Sequence, residues 1–447
     1  MSIHASSRVL RFAFAPLLVA AFALAAFSAR AQTPSVLVND RQDEADLAAR
    51  RQAWIDDLHR AAPGTDWRAI EDANRLETLF LRQSGANQAR YTTSAGWGEL
   101  GAANQTGRNF DCALGSDGLL YVGSANGGLF SGPPLGGPSW TPLTDNLGYG
   151  VEHVLALGGP PIHFVIASNT RLFFSADGGT TWAVPTGLPD YIYNVVRLVR
   201  EADNTTTVYA LVEGRTWTGS EWDLNWDLLR STDGGASYAR TFTVPIPTRP
   251  DMWISRTSAG PLYLAYGNQL LKSTDHGVTF TSVGTLPATS DQARLAGSEA
   301  GAPAFYCALR SGAAWTLYSS TNGGVAWTNR GALTDFWGSI LAPVSDAAQV
   351  FIGGVNCYRS TDGGATRPAI NVWSDYYGNP QHKLHADIDG LTSTVAPGGG
   401  NERIYIHTDG GTYLLTPTTT IPDNITRNGF RNAQYYGTLT SLTDPTR

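Results

Sequence analysis

From Trp97 onward, short apolar runs alternate with turns rich in Gly, Asp, Asn and Ser, and long helical periodicity is missing. Many of the runs are rich in β-branched or aromatic residues, as in LLYVGS at 119–124, HFVIAS at 163–168 and RIYIHT at 403–408. Runs of about four to eight such residues, bounded by turn residues, predict strands. A shorter aromatic run then follows, for example RLFFS at 171–175. The pattern predicts an all-β fold.

One turn phrase returns at regular intervals within this region. Its copies are SADGGTTW at 175, STDGGASY at 231, STDHGVTF at 273, STNGGVAW at 320 and STDGGATR at 360. Degenerate copies at Ser131 and Thr416 extend the series, and the successive intervals are 44, 56, 42, 47, 40 and 56 residues. A period of about 47 residues is typical of propeller blades. The repeat therefore predicts a β-propeller of about seven four-stranded blades.

Each part of the turn phrase has a local physical role. Glycine adopts positive φ at little cost, and the Asp or Asn side chain can accept hydrogen bonds from backbone N–H groups of its own turn. The aromatic residue that follows covers apolar area beside the next strand. We therefore interpret the phrase as a structural device that fixes one hairpin per blade. Its residues are Ser175, Asp177, Gly179, Trp182, Ser231, Asp233, Gly235, Ser273, Asp275, Gly277, Ser320, Asn322, Gly324, Trp327, Ser360, Asp362 and Gly364.

The first 96 residues follow a different pattern. Residues 1–31 combine two arginines, an apolar run and an Ala-Arg-Ala cleavage site, which together predict a signal peptide. Residues 32–96 contain two stretches with apolar residues at helical spacing, separated by Pro63 and Gly64. We expect a helical lead-in and linker there, with the propeller spanning residues 97–447.

Charge and cysteine content narrow the classes of partner. The chain carries 31 Lys and Arg against 38 Asp and Glu, and this net charge of −7 argues against nucleic acid and anionic membrane surfaces. No stretch after residue 31 is apolar enough to cross a membrane, so we expect no membrane insertion after signal cleavage. Three cysteines in apolar strands favour buried thiols over a disulfide framework. These features predict a bacterial protein that is secreted or periplasmic.

The turn phrase is similar to the Asp-box, or bacterial neuraminidase repeat, and residues 97–447 resemble secreted Asp-box propellers of the sortilin-like class. HADIDGL at 385–391 and HTDGG at 407–411 resemble that class's His-x-Asp-x-His and Asp-Gly-Gly stretches, and RNAQYYGTL at 431–439 resembles the start of a further blade. The resemblance implies a propeller, but Asp-boxes occur in hydrolases, receptors and non-catalytic proteins alike. We expect the chain to be part of a longer propeller; alternatively, residues 433–440 close the ring as a last strand.

The first candidate site is the stretch that contains His385, Asp387 and Asp389. These residues alternate, so on a strand near the central channel their side chains would point the same way, with Asp409 close in the same blade. They could bind a divalent metal, and Asp389 in place of the class's histidine favours calcium or magnesium over zinc. Asp387 and Asp389 could instead be catalytic as an acid/base pair. A polar channel lining satisfied by water is the remaining alternative.

The second candidate site is RTWTGSEWDLNWD at 215–227, which predicts an extended hairpin. Exposed tryptophans beside carboxylates could bind a sugar, because rings stack on pyranose faces and carboxylates accept hydrogen bonds from hydroxyls. Alternatively, the rings pack against the neighbouring blade. WSDYYGNPQH at 373–382 could wall the mouth of the channel. The ligand-binding candidates are Trp217, Trp222, Trp226, Trp373, Tyr376, Tyr377 and His382.

Several signatures of known hydrolases are missing from the sequence. The xyloglucanase relatives have a catalytic Asp in a Thr-Asp-Ile-Gly-Gly segment of their first blade, where this chain has Ala125. The Arg-Ile-Pro of sialidases and the Gly-x-Ser-x-Gly of serine hydrolases do not occur. We expect a module that binds a polysaccharide or a protein, or a structural module of a longer chain. The alternative is an extracellular glycoside hydrolase acting on polysaccharide, and the oligomeric state stays open.

Overall fold

The computed structural model describes residues 106–432, except for 126, 146, 169, 203–205, 220, 257–259, 301–303, 395–401 and 417, together with eight helical positions between 69 and 81. The predicted signal peptide, most of the predicted lead-in and residues 433–440 lie outside the described residues. Contacts divide the chain into two units, Met1–Asn74 and Arg75–Arg447, and every strand belongs to the second. In the part that is described, no helix is both long and apolar enough to cross a membrane.

The described residues form seven antiparallel sheets, each built from strands that are consecutive in the chain. The seven sheets are the blades of a β-propeller, as the repeat predicts. Blades 1 to 3 contain β1 (Asn109–Leu114), β2 (Leu120–Ser124), β3 (Gly128–Gly132) and β4 (Thr141–Pro142); β5 (His153–Leu157), β6 (His163–Ala167) and β7 (Leu172–Ser175); β8 (Tyr191–Arg200), β9 (Val208–Trp217), β10 (Trp222–Ser231) and β11 (Ala239–Pro245).

Blades 4 to 7 continue the same order. They contain β12 (Asp251–Ile254), β13 (Leu262–Tyr266), β14 (Gln269–Ser273) and β15 (Thr281–Thr285); β16 (Gln292–Ser298), β17 (Ala304–Ser311), β18 (Ala314–Ser320) and β19 (Thr328–Leu333); β20 (Ser339–Leu341), β21 (Val350–Gly353) and β22 (Cys357–Ser360); β23 (Ile388–Thr394), β24 (Arg403–Thr408), β25 (Gly411–Leu415) and β26 (Asp423–Asn424). In blades 2 and 6 a single bridge, at Ala183 and Ala369, replaces the fourth strand. A 3-10 helix, Trp373–Gly378, connects blades 6 and 7.

The hydrophobic core consists of apolar clusters between neighbouring blades. The second strand of each blade packs on both sides, so β2 and β21 are buried along their whole length, and this explains the nearly continuous apolar runs in the sequence. One cluster joins the last blade to the first, because Tyr405 and Phe430 pack with Cys112 and Phe130. The ring is therefore closed by packing between blades 7 and 1.

A buried polar network seals the same interface. The Asn432 side chain accepts a hydrogen bond from the Gly107 amide at 2.8 Å and donates to Asn109 Oδ1 at 2.8 Å and Ser124 Oγ at 2.7 Å. The Thr106 hydroxyl donates to the carbonyl of Gly410 at 2.8 Å. Residues more than 300 positions apart in the chain are thus joined, and every buried polar atom in this set has a partner.

The Ser-x-Asp turn phrase has one geometry in all five intact copies. The Ser hydroxyl donates to the Asp or Asn Oδ1 and accepts the N–H of the second glycine, and Oδ1 accepts the N–H four residues further on. In the copy of blade 4, His276 adopts φ 62° where the other copies have glycine. Local hydrogen bonds close the turn, as the phrase predicts, and in the copies of blades 2, 3 and 6 the first glycine also donates to a backbone carbonyl elsewhere in its blade.

Strand direction assigns the loops to the two faces of the disc. Because strands alternate in direction, the turns between second and third strands lie on the same face as the connections between blades, and we call this the hairpin face. The Ser-x-Asp turns join third and fourth strands, so they lie on the opposite face, the box face. Both candidate sites from the sequence lie on the hairpin face.

Candidate functional site

A long hairpin rises from the hairpin face at blade 3. Strands β9 and β10 have 10 residues each, whereas β13 and β14 of the next blade have 5. The additional residues extend the ribbon by roughly 15 Å. Its tip is fixed at Trp217, whose amide donates to Asp190 Oδ2 at 2.6 Å and whose partner across the ribbon is Trp222. The predicted extended hairpin is therefore a regular two-stranded ribbon.

One side of this ribbon, which we call the ring face, carries a contiguous group of exposed aromatic rings. The rings of Trp217 and Trp222 are 5.2 Å apart, and Tyr191 of β8 contacts Trp222 edge-on at 5.5 Å. The Arg215 guanidinium lies 4.1 Å above the Trp222 ring and 5.0 Å from the Tyr191 ring. Tyr191, Tyr193, Trp217 and Trp222 are 37 to 48% exposed. Cation–π contact with Arg215 holds the rings in place.

Trp226 lies at the base of the ring face and differs from the other two tryptophans. It is 5% exposed and belongs to the core cluster between blades 3 and 4. The structure therefore separates the three tryptophans of the hairpin, with two displayed and one buried against the next blade.

Two of the hairpin's carboxylates do not flank the exposed tryptophans, contrary to the expectation from the sequence. Side chains alternate along a strand, so Asp223 and Asp227 point to the other side of the ribbon from Trp222. There Asp227 accepts the Thr243 hydroxyl at 3.0 Å, and Arg240 lies 3.4 Å from Asp223. These acids are committed to structural contacts within blade 3.

The alternation expected for His385, Asp387 and Asp389 is also wrong, because the strand begins only at Ile388. Asp387 adopts φ 67°, a left-handed conformation that turns the chain just before β23. His385 packs edge-on against Tyr376 with ring centroids 4.6 Å apart, and it contacts the backbone of Gly410. Asp389 projects into the group described next, and Asp387 lies close enough for its charge to act on Asp389.

Asp389 and Asp409 lie within hydrogen-bonding reach of one another at the interface of blades 7 and 1. Arg108 donates Nε to Asp409 Oδ1 and Nη2 to Asp409 Oδ2, and its Nε is 3.5 Å from Asp389 Oδ2. Burial raises the pKa of Asp389 to about 8; Arg108 opposes this shift, and the charge of Asp409 adds to it. Asp389 is therefore mostly protonated near neutral pH.

His407 lies deeper at the same interface and is fully buried. Burial lowers its pKa to about 3, so the ring is neutral. Its Nδ1 lies 3.0 Å from the Thr412 hydroxyl and its Nε2 lies 3.3 Å from the Thr392 hydroxyl, which donates to Asp111 at 2.6 Å. His407 is thus a neutral member of a satisfied network and has no open side for a ligand.

The metal candidates do not assemble into one site. Within the described residues, no group of three or more His, Cys, Asp or Glu side chains is arranged to hold a metal ion. Asp389 and Asp409 share Arg108 as a partner, so a cation of the protein already engages both carboxylates. His385 and Asp387 belong to the turn that precedes β23.

The remaining ligand-binding candidates line the connection between blades 6 and 7. Trp373 and Tyr376 are half-buried, and Tyr377 is 52% exposed. The exposed His382 borders a small cleft of about 240 Å³ together with Ile370, Asn371 and Ile421. Tyr376 packs on His385, which contacts the turn that carries Asp409. His382 instead borders the separate cleft. Residues 373–389 therefore form two distinct surfaces.

Ala125 lies in the turn between β2 and β3, directly beside the interface that carries the Asp389–Asp409 pair. Its amide donates to the carbonyl of Arg108 at 3.1 Å. In blade 7 the corresponding turn carries Asp409, in the text Thr-Asp-Gly-Gly. The carboxylate on this part of the hairpin face thus comes from blade 7.

Sequence reasoning missed Tyr191, Tyr193, Arg108 and Glu152. The text Tyr-Ile-Tyr, directly before a long apolar strand, is the signal that indicates an aromatic extension of β8. Arg108 and Glu152 carry no motif. The contact of Arg108 with Asp389 arises from ring closure, and Glu152 lies close enough to Arg108 to feel its charge. Burial raises the pKa of Glu152, and Arg108 opposes this effect.

Comparison with known proteins places this chain near carbohydrate-active propellers. No known family profile matches it. A xyloglucanase from Paenibacillus is 27% identical over 323 residues, which cover 69% of this chain and 24% of the xyloglucanase. The chain therefore spans about a quarter of the length of that relative.

Solved structures show the same fold. An ancestral GH74 enzyme matches with a TM-score of 0.54 and 14% identity, covering 72% of this chain and 46% of the enzyme. The GH74 xyloglucanase from Xanthomonas campestris matches with a TM-score of 0.50 and 15% identity, covering 70% of this chain and 52% of the enzyme. At such identities the likeness concerns the propeller fold, and the chain spans about half of each enzyme.

Proposed function

We propose that this protein binds polysaccharide on the ring face of blade 3, as a secreted propeller of the Asp-box type. The observation that supports it most directly is the exposed group of Tyr191, Tyr193, Trp217 and Trp222, which stands clear of the disc on a rigid ribbon. Contiguous exposed rings are costly in water and mark interaction surfaces. The signal-like residues 1–31 support secretion, and the Ser-x-Asp turns support the Asp-box assignment.

A glycan fits the chemistry of the ring face. Pyranose rings present apolar C–H faces that stack on aromatic rings, and their hydroxyls accept hydrogen bonds from guanidinium groups. The rings are held by mutual contacts and by Arg215, so little conformational entropy is lost when a ligand binds. The weak similarity to a xyloglucanase agrees with a polysaccharide ligand.

Replacement of both exposed tryptophans tests this proposal. Trp217→Ala/Trp222→Ala should weaken binding to a retained polysaccharide by about tenfold or more in affinity electrophoresis, because aromatic stacking contributes on the order of 0.5 to 1.5 kcal/mol per ring. Val325→Ala, at a 63% exposed apolar position on the box face, is the matched control and should leave binding unchanged. Equal binding by wild type and the double variant would contradict the proposal.

A glycoside hydrolase is the second candidate, and the raised pKa of Asp389 favours it. The geometry of Asp389 and Asp409 argues against the usual mechanism. A glycosidase needs one carboxyl group as acid and a second as base or nucleophile, whereas Asp389 and Asp409 are both engaged by one guanidinium, that of Arg108. Release of reducing ends from xyloglucan that Asp389→Asn abolishes would establish the hydrolase in place of the binding function.

A further inference from the structure

Two arginines, Arg249 and Arg294, meet on the hairpin face at the inner ends of blades 4 and 5. Arg249 directly precedes β12, and its backbone pairs with the start of β16, since its amide donates to Asp291 O at 2.9 Å and its carbonyl accepts the Ala293 amide at 3.1 Å. Arg294 lies two residues after Gln292, within β16. The side chains are therefore close neighbours at the edge of the central channel.

The donor groups of these guanidiniums are largely unused. Arg249 donates only from Nη2, to Asn194 Oδ1 at 3.3 Å, and its buried Nε has no partner in the described part of the chain. Among the described residues, Arg294 donates only from Nη1, to the adjacent carbonyl of Ala293 at 3.0 Å. Its guanidinium lies over Gly338, where a Cβ atom would come within 3.0 Å of Nε. The backbone is thus shaped to admit this group.

Nearby acids do not neutralise the two arginines. Asp251 is committed to Arg197 by two hydrogen bonds of 2.8 and 3.0 Å, and it also accepts the amides of Met252 and Leu295. Glu213, the other acid close to Arg249, forms no ion pair with it among the described residues. Burial, together with Arg249 and Arg197 and against the pull of Asp251, lowers the pKa of Arg294 to about 9. An anion placed here would relieve this repulsion.

This cationic group adjoins the ring face. The Arg249 guanidinium lies 5.6 Å from the ring of Trp226, which forms the base of the ring face below Trp222. Trp337, the residue before Gly338, is 56% exposed. A chain of sugars stacked on the exposed rings can therefore extend toward Arg249 and Arg294.

We propose that the hairpin face binds an acidic polysaccharide, with a uronate carboxylate held by Arg249 and Arg294 and neighbouring sugars stacked on the ring face. The inference rests on the proposed glycan-binding function and specifies its ligand. The fork of N–H groups on arginine matches a carboxylate in two parallel hydrogen bonds. In a chain of net charge −7, such a cationic group on the binding face also selects for anions over neutral polymers.

The test compares polygalacturonate with neutral xyloglucan by titration calorimetry at physiological ionic strength. Wild type should bind polygalacturonate more tightly, and Arg249→Gln/Arg294→Gln should weaken that binding by about 30-fold while xyloglucan binding stays within about twofold. Arg240→Gln removes one positive charge from the opposite side of the ribbon and should change neither affinity. Arg249→Lys/Arg294→Lys keeps the charge without the fork and should give an intermediate loss.

Three outcomes would overturn this inference. If wild type binds the two polymers with equal affinity, the proposed preference for an acidic ligand is wrong but the proposed glycan binding stands. Stronger binding to dextran sulfate than to polygalacturonate at matched charge density would replace the carboxylate with a sulfate ester. Loss of binding to both polymers in the Gln variant, with an unchanged unfolding midpoint, would show that the arginines do not select for charge. If wild type binds neither polymer, the proposed function itself fails.

Discussion

At the scale of single residues, the Ser-x-Asp turns couple a side chain to its own backbone. In four copies the acid also receives a hydroxyl four residues later, as Asp233 receives Ser237 at 2.5 Å. The copy in blade 5 has Asn322, which has only one accepting oxygen, and the residue four positions later is Ala326. A hydroxyl residue therefore occupies this position in the four copies that have an Asp, whose second carboxylate oxygen accepts its hydrogen bond. The chain itself shows that the turn closes without a negative charge.

These hydrogen bonds predict an acid-sensitive component of stability. Those from the hydroxyl and amide of Thr279 hold the pKa of Asp275 far below its usual range, and those from Thr366 lower the pKa of Asp362 to about 2. A lowered folded-state pKa gives stability that is present above the unfolded value near 4 and is lost as pH falls toward 2. The corresponding acids of blades 2 and 3 also have lowered pKa values, because hydrogen bonds outweigh burial.

Replacing the four acids by Asn should therefore flatten the acid branch of the stability curve. We expect the unfolding midpoint in urea to fall less between pH 4 and pH 2.5 than in wild type, because no carboxylate remains to be protonated in these turns. Asn322→Asp is the matched control, and it should make the acid branch steeper. Parallel acid branches in all three proteins would contradict this origin. The replaced acids are Asp177, Asp233, Asp275 and Asp362.

At the scale of strands and turns, ring closure depends on a few long-range contacts. Asn432 satisfies the buried Gly107 amide, Asn109 and Ser124 at once. Asn432→Ala removes these partners, and a buried polar group without a partner costs about 1 to 3 kcal/mol. We expect a loss of about 3 kcal/mol in the free energy of unfolding, measured by urea titration at an unchanged m-value. Thr420→Ala, at an exposed turn of the same blade, should cost less than about 0.5 kcal/mol. A similar small cost for Asn432→Ala would show that packing alone closes the ring.

The sequence predicts local elements well and their long-range juxtaposition poorly. The blade number follows from the turn phrase, since each copy is closed by bonds within about six residues. The Arg108–Asp409 contact joins residues 301 positions apart, so nothing in the text near either residue indicates it. The strand predicted to include His385 starts only after Asp387, because Asp387 adopts a positive φ that interrupts the extended chain. The exposed tryptophans of the ring face could be predicted from the sequence. That they lie on the opposite side of the ribbon from Asp223 could be seen only from the register of β9 and β10.

At the scale of the whole molecule, two sets of acids give stability opposite dependences on pH. The acids of the Ser-x-Asp turns stabilise the fold as pH rises to about 4. Asp389, Glu152 and Asp227 have raised pKa values, so their ionisation makes the fold less stable as pH rises. For a raised folded-state pKa, stability is fully present below the unfolded value near 4 and is lost as pH rises. The propeller should therefore be most stable at about pH 4 to 5, below neutrality.

Asp389→Asn should remove the largest part of the decline on the neutral side. The amide is uncharged at every pH and can still hydrogen-bond with Asp409, so the variant should be more stable than wild type at pH 8 by about 1 kcal/mol or more, since one pKa unit is worth about 1.4 kcal/mol. Asp409→Asn removes a hydrogen-bond partner of Arg108 instead and should lower stability at pH 5, where Asp389 is protonated in wild type. The measurement is the free energy of unfolding in urea between pH 4 and pH 9. If the free energy of unfolding declines in parallel for Asp389→Asn and wild type across this range, ionisation of Asp389 does not cause the decline.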